Sequence, residues 1–85
     1  MMQRLLVVED DAIICNGVKT FLEGKGYCVD CAATVAEARE RLKKPYQLVI
    51  LDCNLPDGNG ITFCREIRGK GNTPVIFLTA NDTEQ

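Results

Sequence analysis

Leu48-Val49-Ile50-Leu51-Asp52, running on into Cys53-Asn54-Leu55-Pro56-Asp57-Gly58-Asn59-Gly60, decides how this chain folds. Four aliphatic residues in a row, without in–out alternation, describe a strand covered on both faces. The run ends on a carboxylate, and a Pro- and Gly-containing turn then carries the chain sharply away. Two more apolar runs occur: Leu5-Leu6-Val7-Val8 runs into Glu9-Asp10-Asp11, and Val75-Ile76-Phe77-Leu78 runs into Thr79-Ala80-Asn81-Asp82. A fourth run, 27–32, carries Asp30 and alternates more, so it reads as an edge strand. Between the runs lie stretches with helical spacing. Ile14, Val18, Phe21 and Leu22 recur at i, i+4, i+7 and i+8 before Gly24 and Gly26. Thr34-Val35-Ala36-Glu37 is a capping box, followed by Val35, Ala38 and Leu42 on one face before Pro45. Ile61, Cys64 and Ile67 precede Gly69 and Gly71, and a last helix has barely begun at Asp82. Alternating strands and helices imply right-handed crossovers and a parallel sheet. The fold expected is α/β, a doubly wound sheet of order 2-1-3-4 with the first and third strands central.

Composition narrows the function. The 85 residues suffice for one small domain, 1–85, and one core. A chain that is 46% hydrophobic and 26% charged folds. Its net charge of −2 argues against a nucleic-acid or membrane-surface binder, which needs a basic stripe. No apolar run approaches the roughly 20 residues of a membrane span, and Met1-Met2-Gln3-Arg4 opens no secretory signal, so a cytoplasmic protein is expected. Cys15, Cys28, Cys31, Cys53 and Cys64 are odd in number and scattered, and there is no histidine. Cys28 and Cys31 therefore lack the partners of a zinc site, and the five read as small packing residues.

All strand C-termini of such a sheet lie along one edge, and ligands bind where the strand order reverses. The four loops leaving the strands contain no Lys or Arg, whereas Lys25, Lys43, Lys44 and Lys70 fall at the opposite edge. Glu9, Asp10 and Asp52 end the two central strands, so their carboxylates should converge. Grouped carboxylates repel unless a cation sits among them. An all-oxygen set with few carboxylates and no cage loop suits Mg²⁺ better than Ca²⁺. Asp11 reads as a helix cap. Asp52, fixed beside a cation and open to the crevice, can attack a phosphoryl group to give an acyl phosphate. Thr79 can offer its hydroxyl to the same oxygens, and Ala80 leaves room for a phosphodonor.

These residues carry a family likeness. Leu5 to Asp10, Leu48 to Asp52, Leu55-Pro56-Asp57-Gly58 and Pro74 to Ala80, in that order, closely resemble the receiver domain of two-component response regulators. The resemblance implies a flavodoxin-like sheet and a regulatory phosphoacceptor in place of a conventional enzyme. It implies phosphorylation of Asp52 by a sensor histidine kinase, Mg²⁺ held by Asp10, Asp52 and the backbone carbonyl of Asn54, and Glu9 acting through water. Thr79 would be the switch hydroxyl. By the same resemblance, Asn54 and Asn81 would stand at positions where the family tunes the lifetime of the phosphorylated state. An output domain, commonly DNA-binding, would be switched in turn. Receivers continue through a fifth strand that carries a lysine and an aromatic, and neither has a counterpart here, so the chain reads as C-terminally incomplete. The apolar edge at 75–78 would then recruit a second copy, giving a homo-oligomer, and phosphorylation would be impaired.

Rival readings fit less well. A haloacid-dehalogenase-type phosphatase wants an acid–base aspartate two residues after the nucleophile, where Asn54 stands. A flavodoxin-like binder of nucleotide or flavin phosphate wants a Gly/Ser/Thr-rich loop after the first strand, where Glu9-Asp10-Asp11 presents negative charge. A switch-dead oligomerising fragment is the remaining alternative.

Overall fold

The computed structural model describes residues 3–78. Along the chain run β1 (Arg4–Val8), α1 (Ala12–Gly24), β2 (Cys28–Ala32), α2 (Val35–Arg41), β3 (Leu48–Asp52), the two-residue strands β4 (Asn54–Leu55) and β5 (Gly58–Asn59), α3 (Gly60–Lys70) and β6 (Val75–Leu78). Four parallel strands form the sheet in the order β2-β1-β3-β6, which is the expected 2-1-3-4 among the long strands. β4 and β5 form a separate antiparallel ribbon, Asn54 opposite Asn59 and Leu55 opposite Gly58, so Pro56-Asp57 is its tight turn. Thr79, Ala80, Asn81 and Asp82, with the expected start of a fourth helix, lie outside the described residues.

The aliphatic runs of β1 and β3 are buried on both faces because alternate side chains feed two cores. β6, read from its sequence as the same kind of strand, lies at the sheet edge and leaves Ile76 and Phe77 exposed. Leu6, Val8, Val49 and Leu51 point one way and pack with Val35, Ala38, Leu55, Phe63 and Ile67 beneath α2 and α3. Leu5, Val7 and Ile50 point the other way and pack with Val29 and Cys15 beneath α1. Leu6, Leu51, Val7, Val8 and Val49 are the largest side chains wholly removed from water. Each contributes about 1.5–3 kcal/mol by burial, which fixes the two central strands whose ends matter below.

The helical faces differ in detail from those read off the spacing. In α1 the core side is Cys15, Val18 and Leu22, while Ile14 and Phe21 face outward, Phe21 at 64% exposure with Lys25 over its ring. In α3 Phe63 joins Cys64 and Ile67 in the core, while Ile61 is 50% exposed. α2 buries Val35 and Ala38 with Leu42 partly covered, as its spacing indicates. The chain leaves α1 through Gly26, whose φ of 97° only glycine adopts freely. β2 is an edge strand, as Asp30 suggested, and none of the five cysteines is in a disulfide. No helix among the described residues is long and apolar enough to cross a membrane.

Candidate functional site

Parallel registration brings the ends of the central strands together. Val8 pairs with Leu51, and Asp52 pairs with Leu78 of β6, so the residues after Val8 and at the end of β3 share one edge. Glu9 follows β1 directly. Its backbone N–H donates to the Ala32 carbonyl (2.9 Å), which holds it to the end of β2, and it is only 5% exposed. Asp10 is exposed and Asp52 half-buried. One carboxylate oxygen from each of Glu9, Asp10 and Asp52 lies within 4.8 Å of the others. The three acids expected to converge therefore do so, in a cluster that is able to hold a metal ion.

The electrostatics of the cluster are those of a site short of positive charge. Burial raises the Glu9 carboxyl above the usual carboxylate range, and the Asp52 and Asp10 charges push the same way. Opposing them is the Asp11 backbone N–H, which donates to Glu9 Oε2 at 3.0 Å. Asp11 serves twice here. Its side chain caps α1, Oδ1 accepting from the N–H groups of Ile13 (2.9 Å) and Ile14 (3.2 Å), as its position suggested. The donor set is all oxygen, and like charges in one crevice gain from a hard cation between them.

After Asp52 the chain is held closely. Gly60 opens α3 with its N–H donating to the Cys53 carbonyl at 2.8 Å. A Cβ built there would stand 2.2 Å from the Asp52 carbonyl oxygen, so α3 can start this near the end of β3 only on glycine. Asn59 caps the helix, its Oδ1 accepting from the N–H groups of Ile61 (2.7 Å) and Thr62 (3.3 Å). Asn54 sits in β4 with its side chain exposed. Thr79 and Asn81 lie outside the described residues.

One contact escaped the sequence reading. The Asp57 carboxylate, at the turn of the ribbon, accepts from the N–H of Val35 (2.7 Å) and of Ala36 (3.0 Å), the first two residues of α2. These bonds hold the Asp57 carboxyl below the usual range. Thr34 Oγ1 accepts from Glu37 N–H (3.0 Å), completing the expected cap, while Glu37 Oε1 reaches back to Ala33 N–H, one residue earlier than a capping box requires. No local signal could have revealed Asp57, because its partners lie more than 20 residues upstream.

Two other concavities lie away from the acid cluster. A groove of about 490 Å³ between α2 and α3 is lined by Arg39, Phe63, Glu66 and Lys70 among others. Its charges are already matched: Arg39 makes two bonds to Glu66 (2.7 and 2.8 Å), and Lys70 stands 3.8 Å from the same carboxylate. A second hollow surrounds Asp30, which accepts from the Tyr46 hydroxyl at 2.6 Å and pairs with Arg4 at 3.2 Å. Neither brings reactive groups together as the strand-end acids do.

Comparison with known proteins identifies the family. Residues 5–85 match the family model described as the response regulator receiver domain. The regulatory protein VanRB of Enterococcus faecalis is 45% identical over 78 residues, covering 91% of this chain and 36% of that protein. A crystal structure of a two-component response regulator from Clostridium difficile superposes with a TM-score of 0.91 at 31% identity, over 98% of this chain and 69% of that one. The response regulator MaeR bound to beryllium trifluoride gives 0.86 at 36% identity, over 96% of this chain and 70% of that one. The chain spans about a third of the length of the curated relatives it matches. An acid cluster at the C-terminal ends of β1 and β3, the 2-1-3-4 sheet and the matched sequence agree: the chain belongs to the receiver-domain family of two-component response regulators.

Proposed function

We propose that Asp52 is the phosphoacceptor of this receiver and that Asp10, Asp52 and the Asn54 carbonyl hold Mg²⁺, with Glu9 contributing through water. The observation that carries this reading is the 4.8 Å grouping of Glu9, Asp10 and Asp52. The fit is chemical: the donors are hard oxygens, and burial and neighbouring negative charge disfavour the ionised form of Glu9, which a cation would favour. When bound, Mg²⁺ supplies positive charge opposite the transferring phosphoryl oxygens.

The residues of the chain do the rest. Asp52 presents a carboxylate oxygen at the half-exposed end of β3, with its backbone fixed by the sheet and by Gly60. In the transfer, a P–O bond to Asp52 forms as the P–N bond of a kinase phosphohistidine breaks, and the imidazole nitrogen leaves with the bonding pair. Thr79 serves as the switch hydroxyl, and Asn54 and Asn81 bear on the lifetime of the acyl phosphate. The binding of beryllium trifluoride by the similar protein MaeR supports a site for such a group. A sensor histidine kinase is the donor, and an output domain is the target of the switch, a reading supported by relatives named as transcriptional regulatory proteins. These residues regulate; they do not turn over a substrate.

Mg²⁺ titration followed by amide NMR, on the chain and on Asp10→Ala, tests the metal assignment. Saturable shifts at residues 9–11 and 52–54 that vanish in the variant are expected, and equal binding by both overturns it. Labelling by an acyl phosphate, abolished in Asp52→Asn, tests the acceptor.

A second reading concerns association. β6 is bonded to β3 on one side, and Ile76 and Phe77 are 52% and 39% exposed. An apolar edge of this kind favours pairing with a second copy of the chain. Concentration-dependent dimerisation in sedimentation that is lost in Ile76→Lys is expected; a monomer at every concentration refutes it.

A further inference from the structure

We infer that Asp57 is a positioning residue for the phosphoacceptor site: by closing the first turn of α2 it holds the β4–β5 ribbon, and with it Asn54 and Gly60, in place beside Asp52. The inference rests on the reading of Asp52 and Asn54 given above and extends it to a residue that touches neither metal nor phosphoryl group.

The ribbon has little to hold it by itself. Two residues per strand are fewer than an independent hairpin needs in water. α2 is no better placed, since seven residues lie well below the roughly 12–15 at which an isolated helix becomes even marginally stable. Each secures the other. Asp57 satisfies the first two N–H groups of α2 with both carboxylate oxygens, placing negative charge at the positive end of the helix. Thr34 satisfies the third, so the helix start is complete only with the ribbon docked. Leu55 is buried in the same core as Val35 and Ala38. Gly58 meets Val35 so closely that a Cβ there would stand 3.0 Å from Val35 Cγ2. Three residues of the ribbon therefore bear on the first turn of α2, and the ribbon begins two residues after Asp52. Its far end, Gly60, is fastened to the Cys53 carbonyl at 2.8 Å. Releasing the Asp57 end leaves Asn54 attached through one side of the loop only.

The distinguishing comparison is Asp57→Ala against Thr34→Ala, which weakens the same helix end without removing a ribbon contact. Asp57→Ala should weaken Mg²⁺ binding, measured by NMR titration, by about tenfold, the lower end of what loss of a supporting group does at metal sites. It should also hasten hydrogen exchange of the Gly60 amide. Thr34→Ala, at matched loss of stability in urea, should leave both unchanged. Equal Mg²⁺ affinity in Asp57→Ala and the parent chain overturns the inference, and so does an equal loss in Thr34→Ala, which would make the effect one of helix loosening alone. If the parent chain binds no Mg²⁺, the metal assignment fails by itself. The Gly60 exchange rates in the metal-free proteins then decide the role of Asp57: acceleration in Asp57→Ala alone upholds it, and equal rates refute it.

Discussion

Replacing Gly60 by alanine acts on the placement of Asp52 without altering any acid of the cluster. The added Cβ would lie 2.2 Å from the Asp52 carbonyl oxygen, 2.9 Å from Cys53 Cα and 3.0 Å from the Asp52 carbonyl carbon, where ordinary contact begins near 3.4 Å. All three neighbours are backbone, so no side chain can swing away, and α3 and the end of β3 must part by about 1 Å. The helix start loses the Gly60-to-Cys53 hydrogen bond if it moves that far. Helix propensity taken alone favours alanine by about 1 kcal/mol, but overpacking costs about 1–3 kcal/mol and wins. A reacting group displaced by about 1 Å loses on the order of 10²-fold in rate. Acyl phosphate labelling of Asp52, followed by the mass gain of one phosphoryl group, should therefore slow about a hundredfold in Gly60→Ala, with urea unfolding showing a chain that is weakened yet folded. A folded variant labelled within threefold of the parent would refute the claim that this close approach sets the position of Asp52.

Other perturbations have defined outcomes. Gly17→Ala, in the middle of α1 with nothing within 4 Å of its Cβ, should stabilise the chain by about 0.5–1 kcal/mol in urea unfolding and leave labelling unchanged. Tyr46→Phe removes a 2.6 Å hydrogen bond to a carboxylate and should cost about 1.5–3 kcal/mol at neutral pH, measured by the same method. Its pH dependence follows from two shifts. The Tyr46 hydrogen bond, then the Arg4 charge, hold Asp30 below its usual value, so that contribution is present above about pH 4 and is lost as pH falls through the depressed value. Burial, then Asp30, push Tyr46 up to about 12, so the same bond contributes fully below about pH 10 and fades as pH rises through 12. The difference between Tyr46→Phe and the parent should accordingly be flat between those limits and shrink at both ends. Mg²⁺ at ten times its dissociation constant should add about 1.4 kcal/mol to the unfolding free energy, and none in Asp10→Ala.

The central architecture was legible because it follows from local pattern. The unbroken runs 5–8 and 48–51 are strands with both faces covered, as their pattern indicates, and the acid that ends each marks the sheet edge where ligands gather; run 75–78 has the same pattern but an exposed outer edge. Asp11 and Thr34 announced their helix starts because capping partners lie two or three residues away. Contacts across the fold left no such trace. Spacing showed that α1 has an apolar stripe but not which of two adjacent stripes meets the sheet; Cys15 turned inward and Phe21 outward. Asp30 was legible as a mark of an edge strand, yet its partners Tyr46 and Arg4 come from other segments. Asp57 looked like an ordinary turn residue because the N–H groups it binds belong to α2. Thr79 and Asn81 carry expectations that rest on sequence and family membership.

The one-sided distribution of charge bears on how the site would be loaded. Glu9, Asp10 and Asp52 stand together at the end of the molecule where the strand-end loops hold no lysine or arginine. A phosphodonor is itself an anion, and three grouped carboxylates repel an anion. On the proposed reading, a divalent ion among the three carboxylates would cancel two of their three negative charges and so ease the approach of the donor. The ambient divalent-ion concentration would then bear on how soon a signal registers.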